Sequence, residues 1–393
     1  MDNVVETIPG IWWVGVGDPE LRVFDDLFPT EHGTTYNAYL VKGRDRIALI
    51  DTVKGKRSDE LLAKVKQLCD PSLIDYIVVN HTEPDHSGSL AKMLQHCPHA
   101  TVVSTQAART FLGNLIHTPF NSHVIKDGEV LDLGGRRLRF IVAPFLHWPD
   151  TMFTLVEDEG VLFTCDAFGA HYCGGSIFND QLPDITADMK FYFDCLVRPF
   201  KDKVLAAIEK LRNERVTMIC PSHGPVLRTE PLRAVELYES WSQPPAGGKR
   251  IAILYLSPHG NTEKMAAAVA RGAALPGVEV VVRHINELSH EQVRDLMEEA
   301  DALIFGIPTI NRDIPKPMWD VLALLSTVKL KGNVGGVFGS FGWSGEACKM
   351  AEERLRGMNF KLPAPFVRSP FTPRPETIEQ CEALGRMIAE QIP

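Results

Sequence analysis

Short apolar runs, each closed by a polar or glycine-containing break, recur through the first part of the chain. Tyr39–Val41, Ile47–Ile50, Ile77–Val79, Phe140–Val142, Val161–Phe163 and Met218–Cys220 have the length and composition of buried strands. Ser58 to Leu68 and Ser89 to His96 carry helical periodicity between them. Lys126-Asp127-Gly128 and Asp158-Glu159-Gly160 are hairpin signals. Apolar strands grouped with hairpins predict antiparallel sheets covered by helices, an αββα sandwich, over a doubly wound parallel sheet.

The pattern changes after Arg233–Trp241, which reads as a last amphipathic helix. Ser242-Gln-Pro-Pro-Ala-Gly-Gly-Lys249 then breaks both helix and strand with two prolines and two glycines. Two domains are expected, residues 1–245 and 249–393, with a new unit starting at Arg250. Its rhythm is strand, loop, helix. Ile251–Leu256 is a continuous apolar strand, followed by a small polar loop and a helix through Met265–Ala270. Ala302–Ile307 and Gly335–Gly339 are further buried strands, and Val278–Val282 is an outer one. Ser289 with Gln292 is a capping box for a helix through Met297. This alternation of βαβ units predicts a five-stranded, doubly wound parallel sheet.

The length of 393 residues suits two cores rather than one. Hydrophobic residues at 45% and charged residues at 23% are ordinary for a globular protein, and the net charge of -9 argues against a nucleic-acid partner. No apolar stretch is long enough to cross a bilayer. The opening Met1-Asp2-Asn3-Val4-Val5-Glu6 lacks a basic, then apolar, signal pattern, so a cytoplasmic location is expected. The eight cysteines are scattered without a Cys-x-x-Cys pair, which excludes a built-in rubredoxin or zinc ribbon and fits a reducing compartment. Cys165 is read as a buried apolar residue.

Chemistry enters with His81-Thr-Glu83-Pro-Asp85-His86, four metal-type ligands within six residues at the end of a strand. Imidazoles mixed with carboxylates suit iron, zinc or manganese better than the centres that thiolates favour. Alone, the cluster could be a solvated loop. Three further side chains stand at ends of apolar runs, where a sheet delivers residues into a shared crevice: His147, Asp166 and His223. Each singly has an ordinary reading as a core histidine or a turn aspartate. Together the seven give four imidazoles and three carboxylates, enough for two metals with two imidazoles and a terminal carboxylate each and one bridging carboxylate. Asp51 and Asp75 are read as turn or cap residues.

On these motifs the chain resembles the metallo-β-lactamase fold in the form carried by flavodiiron proteins, also called A-type flavoproteins. Hydrolases of that fold typically carry His where this chain has Glu83, and a carboxylate there shifts preference from zinc toward iron. The resemblance implies one iron at His81, Glu83 and His147, another at Asp85, His86 and His223, and Asp166 as the bridge. Members of the family differ in whether the imidazole at His86 points at the metal. Three carboxylates offset three of the four charges of a diferrous pair, leaving a residual positive site.

The loop Ser257-Pro258-His259-Gly260-Asn261-Thr262 joins a strand end to a helix start, where unpaired N–H groups and the helix dipole favour an anion. It is neither a Walker loop nor a three-glycine dinucleotide fingerprint. It resembles the phosphate loop of flavodoxins at Ser257, Gly260, Asn261 and Thr262. Two more strand-end loops, Pro308-Thr309-Ile310-Asn311 and Ser340-Phe341-Gly342-Trp343-Ser344-Gly345, stand where open α/β sheets bind ligands, and Trp343 offers a flat face for an isoalloxazine ring. FMN is the expected cofactor.

The resemblance spans essentially the whole chain, including Gly33-Thr34-Thr35-Tyr36-Asn37 and His147-Trp148-Pro149-Asp150. It implies an oxidoreductase that reduces dioxygen to water, nitric oxide to nitrous oxide, or both, at a diiron centre fed by FMN. It also implies an external donor, rubredoxin or reduced coenzyme F420, and a head-to-tail homodimer, or a dimer of dimers, in which the flavin of one subunit faces the diiron site of the other. Trp148 has two readings, as a wall of that junction or as packing; Tyr192 is read as packing ahead of a role beside the metals. Two rival readings are a metallo-β-lactamase-fold hydrolase with an accessory flavodoxin domain, and a non-catalytic electron carrier or sensor.

Overall fold

The computed structural model describes residues 3–245 and 247–392. Met1 and Asp2 of the N-terminal segment, Ala246 of the expected linker and Pro393 of the second expected domain lie outside the described residues. The chain divides between Gln243 and Pro244 into two compact units.

Among the described residues the first unit is built on a seven-stranded and a five-stranded sheet. Their inner faces share one core, in which Trp13, Tyr39, Ile50 and Val78 of one sheet meet Phe140, Met152, Val161 and Phe163 of the other. Each outer face carries helices. Ser58–Leu68, Leu90–His96 and Gln106–Leu115 cover the larger sheet through Leu61, Val65, Met93 and Leu112. Thr186–Tyr192, Lys201–Leu211 and Pro231–Ser242 cover the smaller through Met189, Ile208 and Tyr238. This is the αββα sandwich the apolar runs predicted. The strand directions differ in part from the antiparallel expectation: Ile47–Ile50, Tyr76–Val78, Thr101–Ser104 and Ser122–Val124 run parallel, and Val161–Cys165 pairs parallel with Met218–Pro221. The reason is connectivity, since helices join these strands and a helical crossover returns the chain in the same direction.

The second unit is a five-stranded parallel sheet in the order Val278–His284, Lys249–Tyr255, Ala302–Gly306, Val334–Phe341, Val367–Pro370. That order, 2-1-3-4-5, is the flavodoxin-like one, with its ligand crevice at the carboxyl edge beside the first strand. Apolar clusters fill both faces, as a doubly wound sheet requires. Helix His290–Glu299 starts on the expected capping box: Gln292 N–H donates to Ser289 Oγ at 3.2 Å, and Ser289 N–H to Gln292 Oε1 at 2.8 Å. No helix among the described residues is long and apolar enough to cross a membrane.

Candidate active site

The first sheet delivers His81 just past strand Tyr76–Val78, and a one-turn helix, Pro84–Ser87, turns Asp85 and His86 inward. Glu83 precedes Pro84, whose fixed φ suits a first helical position, so the chain bends between the two pairs of ligands. The second sheet delivers Asp166 directly after Val161–Cys165 and His223 after the adjacent Met218–Pro221. His147 lies in the connection between Arg137–Val142 and Met152–Val156.

These residues converge. Ligand atoms of His81, Glu83, His147 and Asp166 lie within 4.8 Å of one another, and so do those of Asp85, His86 and His223. In the first group Glu83 Oε2 is 3.3 Å from His81 Nε2 and 3.1 Å from His147 Nε2. In the second, Asp85 Oδ2 is 3.1 Å from His223 Nε2, and Asp85 Oδ1 3.4 Å from His86 Nε2. Asp166 stands between the groups. Its Oδ2 is 3.5 Å from both His81 Nε2 and His147 Nε2, while its Oδ1 is 3.0 Å from His86 Nε2 and 3.5 Å from His223 Nε2. Donor atoms each about 2.0–2.2 Å from one cation are spaced this way when they share it.

The polar atoms that lack partners fit the same reading. Both oxygens of Asp85, both ring nitrogens of His86 and Oδ2 of Asp166 are buried without a hydrogen-bond partner among the described residues. Leaving such groups unmatched costs about 1–3 kcal/mol each, and a pair of cations would satisfy the carboxylate oxygens and Nε2 of His86, the ring nitrogen that faces Asp85 and Asp166. Electrostatics agree. Burial alone would push the imidazole of His81 down, yet bonds to Asp150 and Glu83 and the charge of Asp166 push it up to about 9. Burial is likewise overcome at His86 by Asp85 and Asp166, and at His147 by Asp166 and Glu83, so that both rise to about 10. Three clustered carboxylates seek positive charge, and the donor set fits two divalent ions.

A further layer orients the rings. Asp150 stands 3.2 Å from His81 Nδ1 and accepts from Thr82 N–H and Oγ1, both at 2.8 Å. Thr35 O is 2.6 Å from His223 Nδ1. Both contacts place a ring proton at Nδ1 and turn the Nε2 lone pair inward. Tyr192 Oη donates to Asp166 Oδ1 at 3.1 Å. Trp148 lies edge-on to His81, ring centroids 5.0 Å apart, and packs against the ligand. Asp51, read as a turn residue, has a positive φ and accepts from Asn80 N–H at 2.7 Å and Nδ2 at 2.8 Å, fixing the approach to His81. Asp150 and Thr35 belong to the motifs His147-Trp148-Pro149-Asp150 and Gly33-Thr34-Thr35-Tyr36-Asn37, and neither is among the residues expected from the sequence to act at the site.

In the second unit, three strand-end loops enclose a cleft of about 310 Å³. Ser257, Pro258, His259 and Asn261 line it with Pro308–Asn311 and Ser340–Trp343, and Phe371, which the sequence did not suggest, joins them. Helix Asn261–Ala273 starts at Gly260, φ +74°, which offers no side-chain cap, so the N–H groups ahead of Glu263 face the cleft mouth as an anion site. Ser257 Oγ accepts from Glu263 N–H at 3.1 Å and steadies the loop. Four expected contacts do not line the cleft: Gly260 shapes the turn, Thr262 bonds Ser340 at 2.8 Å beneath it, Ser344 bonds Glu346, and Gly345 packs against the Phe341 ring. Trp343 is 75% exposed at the rim, with Phe371 at 67%. An open N-terminus at one end and exposed aromatic faces at the other fit a phosphate joined to a flat ring system.

Comparison with known proteins gives the same two parts. A family model described as ODP family beta lactamase matches residues 34–224, and one described as Flavodoxin matches residues 253–385. Type A flavoprotein fprA of Rhodobacter capsulatus is 38% identical over 99% of this chain and 91% of its own length. A protein named nitric oxide reductase, from Moorella thermoacetica, is 38% identical over the full length of both. Among solved structures, rubredoxin oxygen:oxidoreductase from Desulfovibrio gigas superposes with a TM-score of 0.72 at 32% identity, over 99% of this chain and 98% of that one.

Proposed function

The chain belongs to the flavodiiron protein family, and from that premise we propose how its residues divide the work of an oxidoreductase that reduces dioxygen to water, nitric oxide to nitrous oxide, or both. Residues 1–245 form the metal-holding domain and residues 249–393 the flavin-holding one. His81, Glu83 and His147 hold one iron, Asp85, His86 and His223 the other. The observation that carries this reading is Asp166, which turns one carboxylate oxygen toward each ligand group. Glu83 in the first group, where hydrolases of this fold use an imidazole, favours iron over zinc.

Iron held by these residues would supply electrons and a Lewis-acidic site for the diatomic gas, and bound FMN would be the source of further electrons. The protein's own part is geometric. Asp166 sets the spacing of the two ligand groups, and Asp150 and Thr35 fix the tautomers of His81 and His223. Glu83 and His147 are the half-buried members of the set, the remaining five being buried, so the gas approaches on their side. At the flavin end the start of helix Asn261–Ala273 would hold the phosphate, and Trp343 and Phe371 line the cleft where they would face the ring.

The electron donor is external, a small redox protein such as rubredoxin or a reduced deazaflavin such as coenzyme F420. The assembly is a head-to-tail homodimer, or a dimer of such dimers, that brings one chain's flavin to its partner's irons. Exposed Ile310, Trp343 and Phe371 around the flavin mouth are the apolar surface such a pairing covers. The test is stopped-flow reoxidation of fully reduced protein by each gas, after iron and flavin are quantified. Rapid reoxidation that disappears in Asp166→Ala is expected; zinc in place of iron, or turnover that survives this substitution, contradicts the reading.

A further inference from the structure

Strand Lys249–Tyr255 lies between Val278–His284 and Ala302–Gly306, and its last residue, Tyr255, pairs with the last of each, His284 and Gly306. The chain then leaves the sheet to form the loop at residues 257–262. Successive N–H groups of a strand point to opposite neighbours, and this alternation continues past the strand end. Leu256 N–H meets the Gly306 carbonyl at 3.0 Å. On the other side the backbone has already turned into the single turn Ile285–Glu287, and a side chain stands in for the next carbonyl. Ser257 N–H donates to Nε2 of His284 at 3.3 Å.

Ser257 is thereby held twice, because its Oγ accepts from Glu263 N–H at 3.1 Å. The loop is fixed at both ends. Between them Pro258 has no N–H, Gly260 at φ +74° turns the chain into the helix, and the N–H groups of Asn261 and Thr262 have no acceptor among the described residues. The His284 ring stands edge-on to Tyr255, centroids 5.2 Å apart. A second backbone donor reaches it: Asn286 N–H lies 3.3 Å from Nδ1, where it caps the turn Ile285–Glu287. A neutral imidazole has one accepting nitrogen. The ring therefore serves one N–H at a time, and the two bonds do different things: the one to Asn286 ends a strand, the one to Ser257 shapes the anion loop.

We propose, on the flavin assignment made above, that His284 is the positioning residue of the phosphate loop: by accepting from Ser257 N–H through Nε2 it pre-forms the anion site and gives the cleft its preference for FMN over riboflavin. A loop ordered before the ligand arrives loses less freedom when it binds. The benefit falls on the phosphate alone. The ring system would meet Trp343 and Phe371 at the other end of the cleft, and His284 does not line the cleft.

The test is titration of full-length protein, stripped of flavin, with FMN and with riboflavin, read by quenching of flavin fluorescence. Two substitutions separate the two bonds. The side-chain oxygen of His284→Asn stands as many bonds from the backbone as Nδ1 and can keep the cap on Asn286; that of His284→Gln reaches as far as Nε2 and can keep the bond to Ser257. His284→Asn is expected to bind FMN about five- to tenfold more weakly and riboflavin as wild type does. His284→Gln should stay within about twofold of wild type for both. Wild-type FMN affinity in His284→Asn overturns the inference. Equal weakening of FMN and riboflavin there also overturns it, because His284 then only ends the strand, and so does a His284→Gln protein as weak for FMN as His284→Asn. Should His284→Asn fail to fold, His284→Phe, which keeps a flat ring against Tyr255 and accepts from neither N–H, is titrated the same way; an unchanged ratio of FMN to riboflavin affinity there overturns the inference. Wild-type protein that binds no FMN defeats the flavin assignment itself, a result distinct from all of these.

Discussion

The hydroxyl of Tyr192 donates to Oδ1 of Asp166 at 3.1 Å, the oxygen that faces His86 and His223. A hydrogen bond to a carboxylate draws charge away from it and contributes about 1.5–3 kcal/mol. Tyr192→Phe keeps the ring packed against His171, 4.8 Å away, and removes this donor. Asp166 then donates more strongly to the irons and stabilises their oxidised form. A lower midpoint potential of the iron pair at unchanged iron content is expected in an EPR-monitored redox titration; an unchanged potential counts against the contact.

Asp150 supports His81 and Thr82 without being a ligand. Asp150→Asn retains the shape and weakens the charge that fixes the imidazole. Partners of this type change metal affinity by about 10- to 100-fold. Competition with a chelator should show weakened binding of one metal and near-normal binding of the other; equal loss of both would point to general disruption of the fold.

Metal uptake should depend on pH with a definite sign. The imidazoles of His81, His86 and His147, raised to about 9, 10 and 10 against the cost of burial, hold protons at neutral pH. A metal needs the neutral ring, so binding must expel those protons, and affinity rises as pH climbs through the raised values. In weakly buffered solution, anaerobic metal addition to apoprotein should release more than about one proton per chain near pH 7, and the release should fall away only as pH rises past about 10. Release independent of pH would refute the assignment of these rings as ligands.

Trp343, 75% exposed at the rim of the flavin cleft, has little packing to lose within its own domain. Trp343→Ala should therefore fold normally and bind FMN about tenfold more weakly, as expected for loss of one aromatic face. Quenching of flavin fluorescence measures it. Unchanged affinity would place the ring system elsewhere.

Much of this architecture was legible because its signals are local. Apolar runs ending at His81, Asp166 and His223 mark strands that drop their next side chain into a common crevice, and one residue of register decides whether that side chain points in. The flavin loops were legible for the same reason, since each directly follows a strand. What was not legible depends on contacts across the sheets. Thr35 reaches His223 across 188 positions of sequence and Asp150 reaches His81 across 69, and nothing near either residue signals its partner. Tyr192 was read as packing because a buried tyrosine in a helix carries no sign of where its hydroxyl points. Strand direction was misread where helical crossovers, rather than hairpins, join Ile47–Ile50, Tyr76–Val78 and Thr101–Ser104.

The central claim is that two ligand groups share Asp166, and the most direct measurement is an anomalous difference map recorded at the iron edge from crystals of iron-loaded protein. Two peaks about 3.5–4 Å apart are predicted, one bounded by His81, Glu83 and His147, the other by Asp85, His86 and His223, with Asp166 between them. A single peak, or iron bound away from Asp166, would contradict the account.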